Sequence, residues 1–304
     1  MNEYNFKVAA MYRFIPIKDI KSLRSEIYEF TGEHVPSICG TLLIAPEGIN
    51  GTIAAHPAEM DEMIAFLDRK FGVTTSETAC ELKFSHADKQ PFNRFKVRPK
   101  KELITLRKPE ANPHELVGEY VEAQDWNDLI NDPDVLLIDT RNNYETKVGI
   151  FDGAVDPNME IFTEFPDWVE QNLDPDKHKK VAMFCTGGIR CEKASSYMLA
   201  HGFENVYHLK GGILKYLEAI PADQSKWKGD CFVFDQRVAV GHGLEESDWQ
   251  VCHACREPIS AEDTHSPAYE KGISCPHCID NLTPERAKSL ADRQTHYSNR
   301  YGDE

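Results

Sequence analysis

The spacing of apolar positions divides the chain into three stretches of different rhythm. In the first, "KVAAMYRF" (7–14) reads as a strand, and Ile20, Leu23, Ile27 and Phe30 recur at helical spacing up to Gly32. "CGTLLIAPEGINGTIAA" (39–55) is two apolar runs about a Pro/Gly/Asn cluster, which predicts a hairpin. Met60, Met63, Ile64, Leu67 and Phe71 predict a second helix stopped by Gly72, and "CELKFSHA" (80–87) a further strand. That order is the split βαβ of an α+β ferredoxin-like (acylphosphatase-like) domain, assigned to residues 1–112.

The second stretch alternates short apolar strands with helices. Helix around Trp126–Ile130, strand Val135–Ile138, helix around Ile161–Asn172, strand Val181–Phe184, helix from Cys191, strand Asn205–Leu209 and helix from Ile213 follow in turn. Such alternation predicts an α/β domain, a parallel sheet with helices on both faces, over residues 120–222. The Pro-interrupted "PEANPHELVGEY" (109–120) reads as a linker before it. The third stretch, residues 223–304, is polar, Cys/His-bearing and weakly periodic, and reads as a small Cys-rich C-terminal region.

This pattern puts one thiol in an unusual place. Cys185 of "FCTGGIRCEKAS" falls where a parallel strand ends and a helix begins, so main-chain N–H groups and the positive helix end converge on it. A thiolate there has a lowered pKa. Thr186, Gly187, Gly188 and Ile189 form the curl round the sulfur, the glycines because they tolerate positive φ, and Arg190 adds a permanent charge. The Cys185-to-Arg190 spacing is one residue tighter than a phosphatase loop and suits a sulfur or persulfide better than a phosphate. The bland alternative is a small buried hydrophobe, which free cysteine usually is. Cys191 has already begun the helix and is expected to point elsewhere, with a resolving thiol as the lesser alternative.

Composition, 41% hydrophobic and 28% charged, is that of a soluble globular chain. No apolar run reaches the roughly 18–20 residues that span a bilayer, and the start, "MNEYNFKVAAMYRF", does not read as a secretory signal. Nine cysteines without a small-scaffold spacing fit a reducing cytoplasm. A net charge of −16 argues against non-specific nucleic-acid binding, so neither DNA nor a membrane is an expected partner. One segment dissents: residues 92–108 carry Arg94, Lys96, Arg98, Lys100, Lys101, Arg107 and Lys108 against Glu102 alone, with Phe92 and Phe95 interleaved. On composition a solvated interdomain linker is the simpler reading, and an RNA contact the other. Nothing in the pattern sets an oligomeric state.

The tail segment 252–278 holds Cys252, Cys255, Cys275 and Cys278, two CxxC pairs at a spacing used by four-cysteine zinc sites. Four thiolates about 2.3 Å from one ion staple a segment too polar to form a core, and leave no open position for catalysis. Disulfides in an oxidised chain are the alternative. His253 and His277, inside the pairs, are not expected as ligands. Glu47 and Asn50 of "APEGING" are explained by turn chemistry, with a substrate role as the other reading. Asp235 and Arg237 are expected to pair and brace the tail on the α/β domain, and Asp139 and Arg141 to orient the site structurally.

Several motifs resemble a known family. "DVLLIDTRNNYETKVGIFDGA" (134–154), "FCTGGIRCEKAS" (184–195) and "VYHLKGGILKY" (206–216) resemble a rhodanese domain, with Ile150 and Tyr216 replacing a frequent histidine and tryptophan. Together with "GTLLIAPEGINGTIA", "FNRFKVRPKKELITL", "CFVFDQRVAV" and the two CxxC pairs, they resemble the rhodanese-containing tRNA uridine hydroxylase family across essentially the whole chain. The resemblance implies a cytoplasmic oxidoreductase that 5-hydroxylates the wobble uridine of the tRNA anticodon loop, with molecular oxygen as co-substrate. Cys185 would be the catalytic thiolate and Arg190 its partner, with Arg94, Lys96, Arg98, Lys100 and Lys101 meeting tRNA. No flavin, haem or nucleotide motif is visible in the sequence. Two rivals stay open: a sulfurtransferase working through a Cys185 persulfide, and a non-catalytic tRNA-binding protein.

Overall fold

The computed structural model describes residues 5–75 and 80–301, with side chains described as far as 296. The first unit runs β1 (Phe6–Phe14), α1 (Ile20–His34), β2 (Cys39–Ala45), β3 (Gly48–Ala55), α2 (Pro57–Phe71), β4 (Cys80–Ala87) and β5 (Phe95–Pro99). Its sheet has the order β4-β1-β3-β2-β5. The first four strands are antiparallel in the predicted split βαβ arrangement, and β5 adds parallel to β2. The basic segment is therefore not a free linker: Val97 is buried, and Arg24 of α1 donates to its carbonyl. Gly72 ends α2 in the left-handed conformation as expected, but α1 runs through Gly32 to His34.

Alternation along these strands decides what each face does. Ala9, Met11, Leu42, Ile53 and Val97 turn toward α1 and α2 and form the core. Register places Lys83, Ala10, Thr52, Thr41 and Lys96 in one row across the opposite face, and Glu81, Tyr12, Asn50, Leu43 and Arg98 in the next. Two basic side chains of the 92–108 segment thus share a face with Tyr12 and Lys83.

The second unit comprises β6 (Glu119–Val121), α3 (Ala123–Ile130), β7 (Val135–Asp139), α4 (Asn143–Thr146), β8 (Gly149–Phe151), α5 (Phe165–Asn172), β9 (Lys180–Phe184), α6 (Ile189–Ala200), β10 (Asn205–Leu209) and α7 (Gly212–Ala219). Its parallel sheet is ordered β6-β10-β9-β7. One face is packed by α5 and α6 through Phe165, Val169, Tyr197 and Met198, the other by α3 and α7 through Trp126, Ile213 and Tyr216. The segment read as a linker, 109–120, is anchored at both ends: Ala111 is buried in the α5/α6 core beside Leu106 of the preceding basic segment, and Glu119–Val121 is the sheet's edge strand.

The tail divides in two. Its start, β11 (Trp227–Gly229), pairs antiparallel with β8, and Trp227, Cys231, Val233 and Val240 are buried in the α3/α7 core. The hairpin β12 (Cys231–Phe232) and β13 (Ala239–Val240) follows. The weak periodicity concealed this, because short strands buried against another unit carry no rhythm of their own. Beyond lie β14 (Gln250–Val251), β15 (Pro258–Ile259), α8 (Ala261–Thr264) and a long polar helix, α9 (Pro284–Tyr301). No helix among the described residues is long and apolar enough to cross a membrane.

Candidate active site

Cys185 sits immediately after β9, and the chain curls so that the Gly188 N–H donates to its sulfur at 3.1 Å. Gly188 has φ +96° and opens α6, a conformation a side chain would strain. The return loop is held from the α7 side: Ile213 and Leu214 donate to the carbonyls of Cys185 and Thr186. Gly212 makes this fit possible, since a Cβ there would stand 2.4 Å from the Cys185 carbonyl oxygen. Burial opposes ionisation of Cys185, but a hydrogen bond from the Cys191 thiol, the Arg190 charge and the Cys191 and Arg190 amides outweigh it, bringing the pKa to about 5. The sulfur is thus an anion at neutral pH.

Cys191 does not point away. It lies against the Cys185 sulfur, with Thr140 Oγ1 3.5 Å from its own Sγ, and burial with the neighbouring thiolate pushes its pKa well up. The sequence reading placed it at the first turn but could not fix which way that turn faced.

Arg190 is held more tightly than a free counter-charge. Its guanidinium donates to both carboxylate oxygens of Glu145, at 2.5 and 2.7 Å. Thr186 Oγ1 donates to the same carboxylate at 3.1 Å. Burial would raise Glu145, yet Arg190 and Arg141 hold it below the usual carboxylate range. Behind it Arg141 forms a fully buried pair with Asp139 and donates to the Glu145 and Gly149 carbonyls. Asp139 and Arg141 therefore position Glu145 and, through it, the loop.

The loop forms one wall of a cleft of about 640 Å³. The open face of the first sheet contributes Tyr12, Asn50 and Lys83, the second unit Cys185 and Arg190, and the tail Phe234, Asp235 and Arg237. Tyr12 donates to Glu192 at 2.7 Å and Lys83 to the Gly211 carbonyl at 2.5 Å. Burial lowers Lys83 to about 8, and burial raises Glu192 to about 7. Asp235 and Arg237 pair at 2.6 Å as expected, but they line the cleft. Glu47 faces elsewhere: with Glu102 it clamps the buried ammonium of Lys193, tying the first unit to α6, whereas Asn50 does line the cleft. Of the basic segment Arg107 reaches the cleft, Arg94, Arg98, Lys100 and Lys101 are exposed, and Lys96 is half-buried. Tyr12, Lys83 and Glu192 were missed; the period-two alternation of residues 7–14 and 80–87 already put Tyr12 and Lys83 off the core face.

In the tail the sulfurs of Cys252, Cys255, Cys275 and Cys278 lie within 4.8 Å of one another. Cys275 is 3.7 Å from both Cys255 and Cys278. A sulfur tetrahedron about 2.3 Å from its centre has edges of about 3.8 Å, so the four fit a zinc-sized ion. His277 instead pairs with Asp263 at 3.4 Å.

Residues 6–103 match the UPF0176 acylphosphatase like domain and residues 122–219 the Rhodanese-like domain. The fold and the cysteine loop thus define a rhodanese-class protein preceded by an acylphosphatase-like domain. The chain is 54% identical over 284 residues, 93% of each chain, to a Picosynechococcus sp. protein named tRNA uridine(34) hydroxylase, and it belongs to that family. Solved structures overlap it only in part. The rhodanese-like domain of an Anabaena sp. protein covers 37% of this chain and 80% of its own, with 19% identity and a TM-score of 0.31. A Rhodopseudomonas palustris protein described as a possible tyrosine phosphatase covers 40% and 95%, with 20% identity and a TM-score of 0.32. Overlaps of that size carry no weight for the chemistry.

Proposed function

We propose that this protein is a cytoplasmic tRNA-modifying oxidoreductase that 5-hydroxylates the wobble uridine, with Cys185 as nucleophile and dioxygen as co-substrate. The observation that carries the reading is a buried thiolate lining a three-sided cleft whose sheet face continues into Lys96 and Arg98. The named activity of the Picosynechococcus relative supports it.

The anticodon loop lies across the open sheet face, its phosphates meeting Arg94, Lys96, Arg98, Lys100 and Lys101. Uridine 34 is splayed out, as RNA readers require, and enters the cleft. The Cys185 sulfur adds to C6 of the uracil and the electron pair moves to C5 and O4. Arg190 and the loop amides hold the sulfur where it attacks, and Glu145 keeps Arg190 in place. The C5 enolate then reacts with dioxygen. Lys83 and the Tyr12–Glu192 pair, both able to exchange protons near neutral pH, line or adjoin the cleft and manage the protons at O4 and C5. Cys252, Cys255, Cys275 and Cys278 hold a structural zinc ion that folds the tail.

Nucleoside mass spectrometry of tRNA from cells with and without the gene tests the reading. Loss of 5-hydroxyuridine and its derivatives, restored by the wild-type chain but not by Cys185→Ser, is expected. Loss of thiolated nucleosides instead makes the protein a sulfurtransferase, and an unchanged profile makes it a non-catalytic binder.

A further inference from the structure

Two cysteines meet at this site where a thiolate nucleophile alone needs one. Both are buried in one packed cluster, but Cys185 lines the cleft, whereas Cys191 lies behind it, with its sulfur 3.5 Å from Thr140 Oγ1. Both belong to the buried α5/α6 core. The Cys191 N–H also donates to the Gly188 carbonyl at 3.0 Å, which places this cysteine at the first turn of α6 behind the sulfur loop.

The hydroxylation has a requirement that a single sulfur does not meet. Placing one oxygen atom of dioxygen on C5 and releasing the other as water consumes two electrons. We propose that Cys185 and Cys191 are the two-electron donor of the reaction, closing to a disulfide once per turnover. The inference rests on the hydroxylase reading above.

The steps balance as follows. Cys185 adds to C6, and the C5 enolate forms a C–O bond to dioxygen and takes a proton, giving a C5 hydroperoxide. Loss of the C5 proton expels the Cys185 thiolate and restores the C5–C6 double bond. The thiolate then takes the distal peroxide oxygen: an S–O bond forms, the O–O bond breaks, and a proton completes the C5 hydroxyl. Cys185 is left as a sulfenic acid. The Cys191 thiol condenses with it, so that the S–S bond forms and water leaves. The sum is uridine, dioxygen and two thiols in, with 5-hydroxyuridine, water and a disulfide out.

This division of labour fits the placement of the two sulfurs. The cleft-facing one touches substrate, and the buried one meets only its partner. A disulfide at about 2.05 Å draws the Cys185 sulfur off the Gly188 amide and toward α6, which removes the nucleophile until it is restored. Thiol–disulfide exchange with an external reduced dithiol, entering by the cleft, is the class of reaction that must follow each cycle.

The test uses the full chain, reduced, freed of reductant without air, and mixed with unmodified anticodon stem-loop RNA in aerated buffer. One 5-hydroxyuridine per chain is expected, with appearance of a Cys185–Cys191 cross-linked peptide, and further turnover only after dithiothreitol is added. Cys191→Ser keeps a hydrogen-bond donor beside the sulfur. It is therefore expected to keep rapid alkylation of Cys185 by iodoacetamide and its single-turnover yield, but to leave Cys185 as a sulfenic acid that dimedone traps, with no cross-linked peptide. Product formed with both thiols still alkylatable, or a Cys191→Ser chain whose Cys185 carries no dimedone-trapped sulfenic acid after turnover, overturns the proposal while leaving the hydroxylase reading intact. No 5-hydroxyuridine from wild type even with dithiothreitol present sinks the hydroxylase reading, and this inference with it.

Discussion

Tyr12, on the first strand, donates its phenolic O–H to Glu192 at 2.7 Å across 180 residues of sequence. Tyr120 takes the other carboxylate oxygen at 2.6 Å. Glu192 follows Cys191 directly, lies wholly buried, and joins the first sheet to the helix that carries the sulfur loop.

This relationship sets a pH dependence. Burial, with a smaller contribution from the Cys185 charge, raises Glu192 to about 7, above its unfolded value of about 4.3. Its stabilisation is full below about pH 4.3 and is lost as pH rises through about 7. Cys185 has the opposite sense: lowered to about 5 from about 8.5 unfolded, it stabilises fully above about 8.5 and loses that as pH falls through about 5. Between pH 5 and 7 the two slopes, each about 1.4 kcal/mol per pH unit, largely cancel. Thermal melts over this range should show Glu192→Gln gaining stability with rising pH and Cys185→Ser losing it. Parallel slopes for the two variants would contradict the assignment.

Glu145→Gln leaves Arg190 buried without its bidentate carboxylate. Removing one partner of a buried pair costs about 3–5 kcal/mol. Urea denaturation should show that loss, and the Cys185 alkylation rate at pH 7 should change because Arg190 is no longer held. A variant as stable as wild type would mean that the pair is dispensable.

Alkylation of Cys185 by iodoacetamide should rise through pH about 5 and level off above it, since the thiolate is the reacting form. A rate still climbing at pH 8 would place the thiol in the ordinary range and remove the nucleophile from the proposed chemistry.

Lys96 and Arg98 crowd one edge of the cleft-side sheet face, and the neighbouring charges of Arg94 and Arg98 add to desolvation in lowering the Lys96 pKa. Replacing both with glutamine should weaken tRNA binding and reduce the slope of log K against log salt by about 1.4, the loss of two contacts to a single strand. Cys185 alkylation should not change. An unaltered salt slope would take the RNA path off this face.

Stripping metal with a chelator, or Cys275→Ser, should expose residues 252–278 to proteolysis while the sulfur loop keeps its alkylation rate. Metal analysis of the untreated chain should find one zinc per protein. Protease resistance unaffected by chelation would mean that the tail folds without an ion.

The sequence by itself determined most of the two sheets, without their edge strands β5 and β6, together with the main helices, the strand-to-helix position of Cys185 and the four-cysteine cluster. All of these are written in local periodicity and short spacings, which depend only on neighbours along the chain. It did not determine the facing of α6. There Glu192 and Lys193 are polar yet buried, because the first unit packs against the helix and supplies Tyr12, Glu47 and Glu102 as partners. Nor did it show that Cys191 turns to Cys185, that Glu145 grips Arg190, or that β11 and β12 complete the second core. Those contacts join residues far apart in sequence or turn on one side-chain rotation, and only the packing of the units against each other selects them.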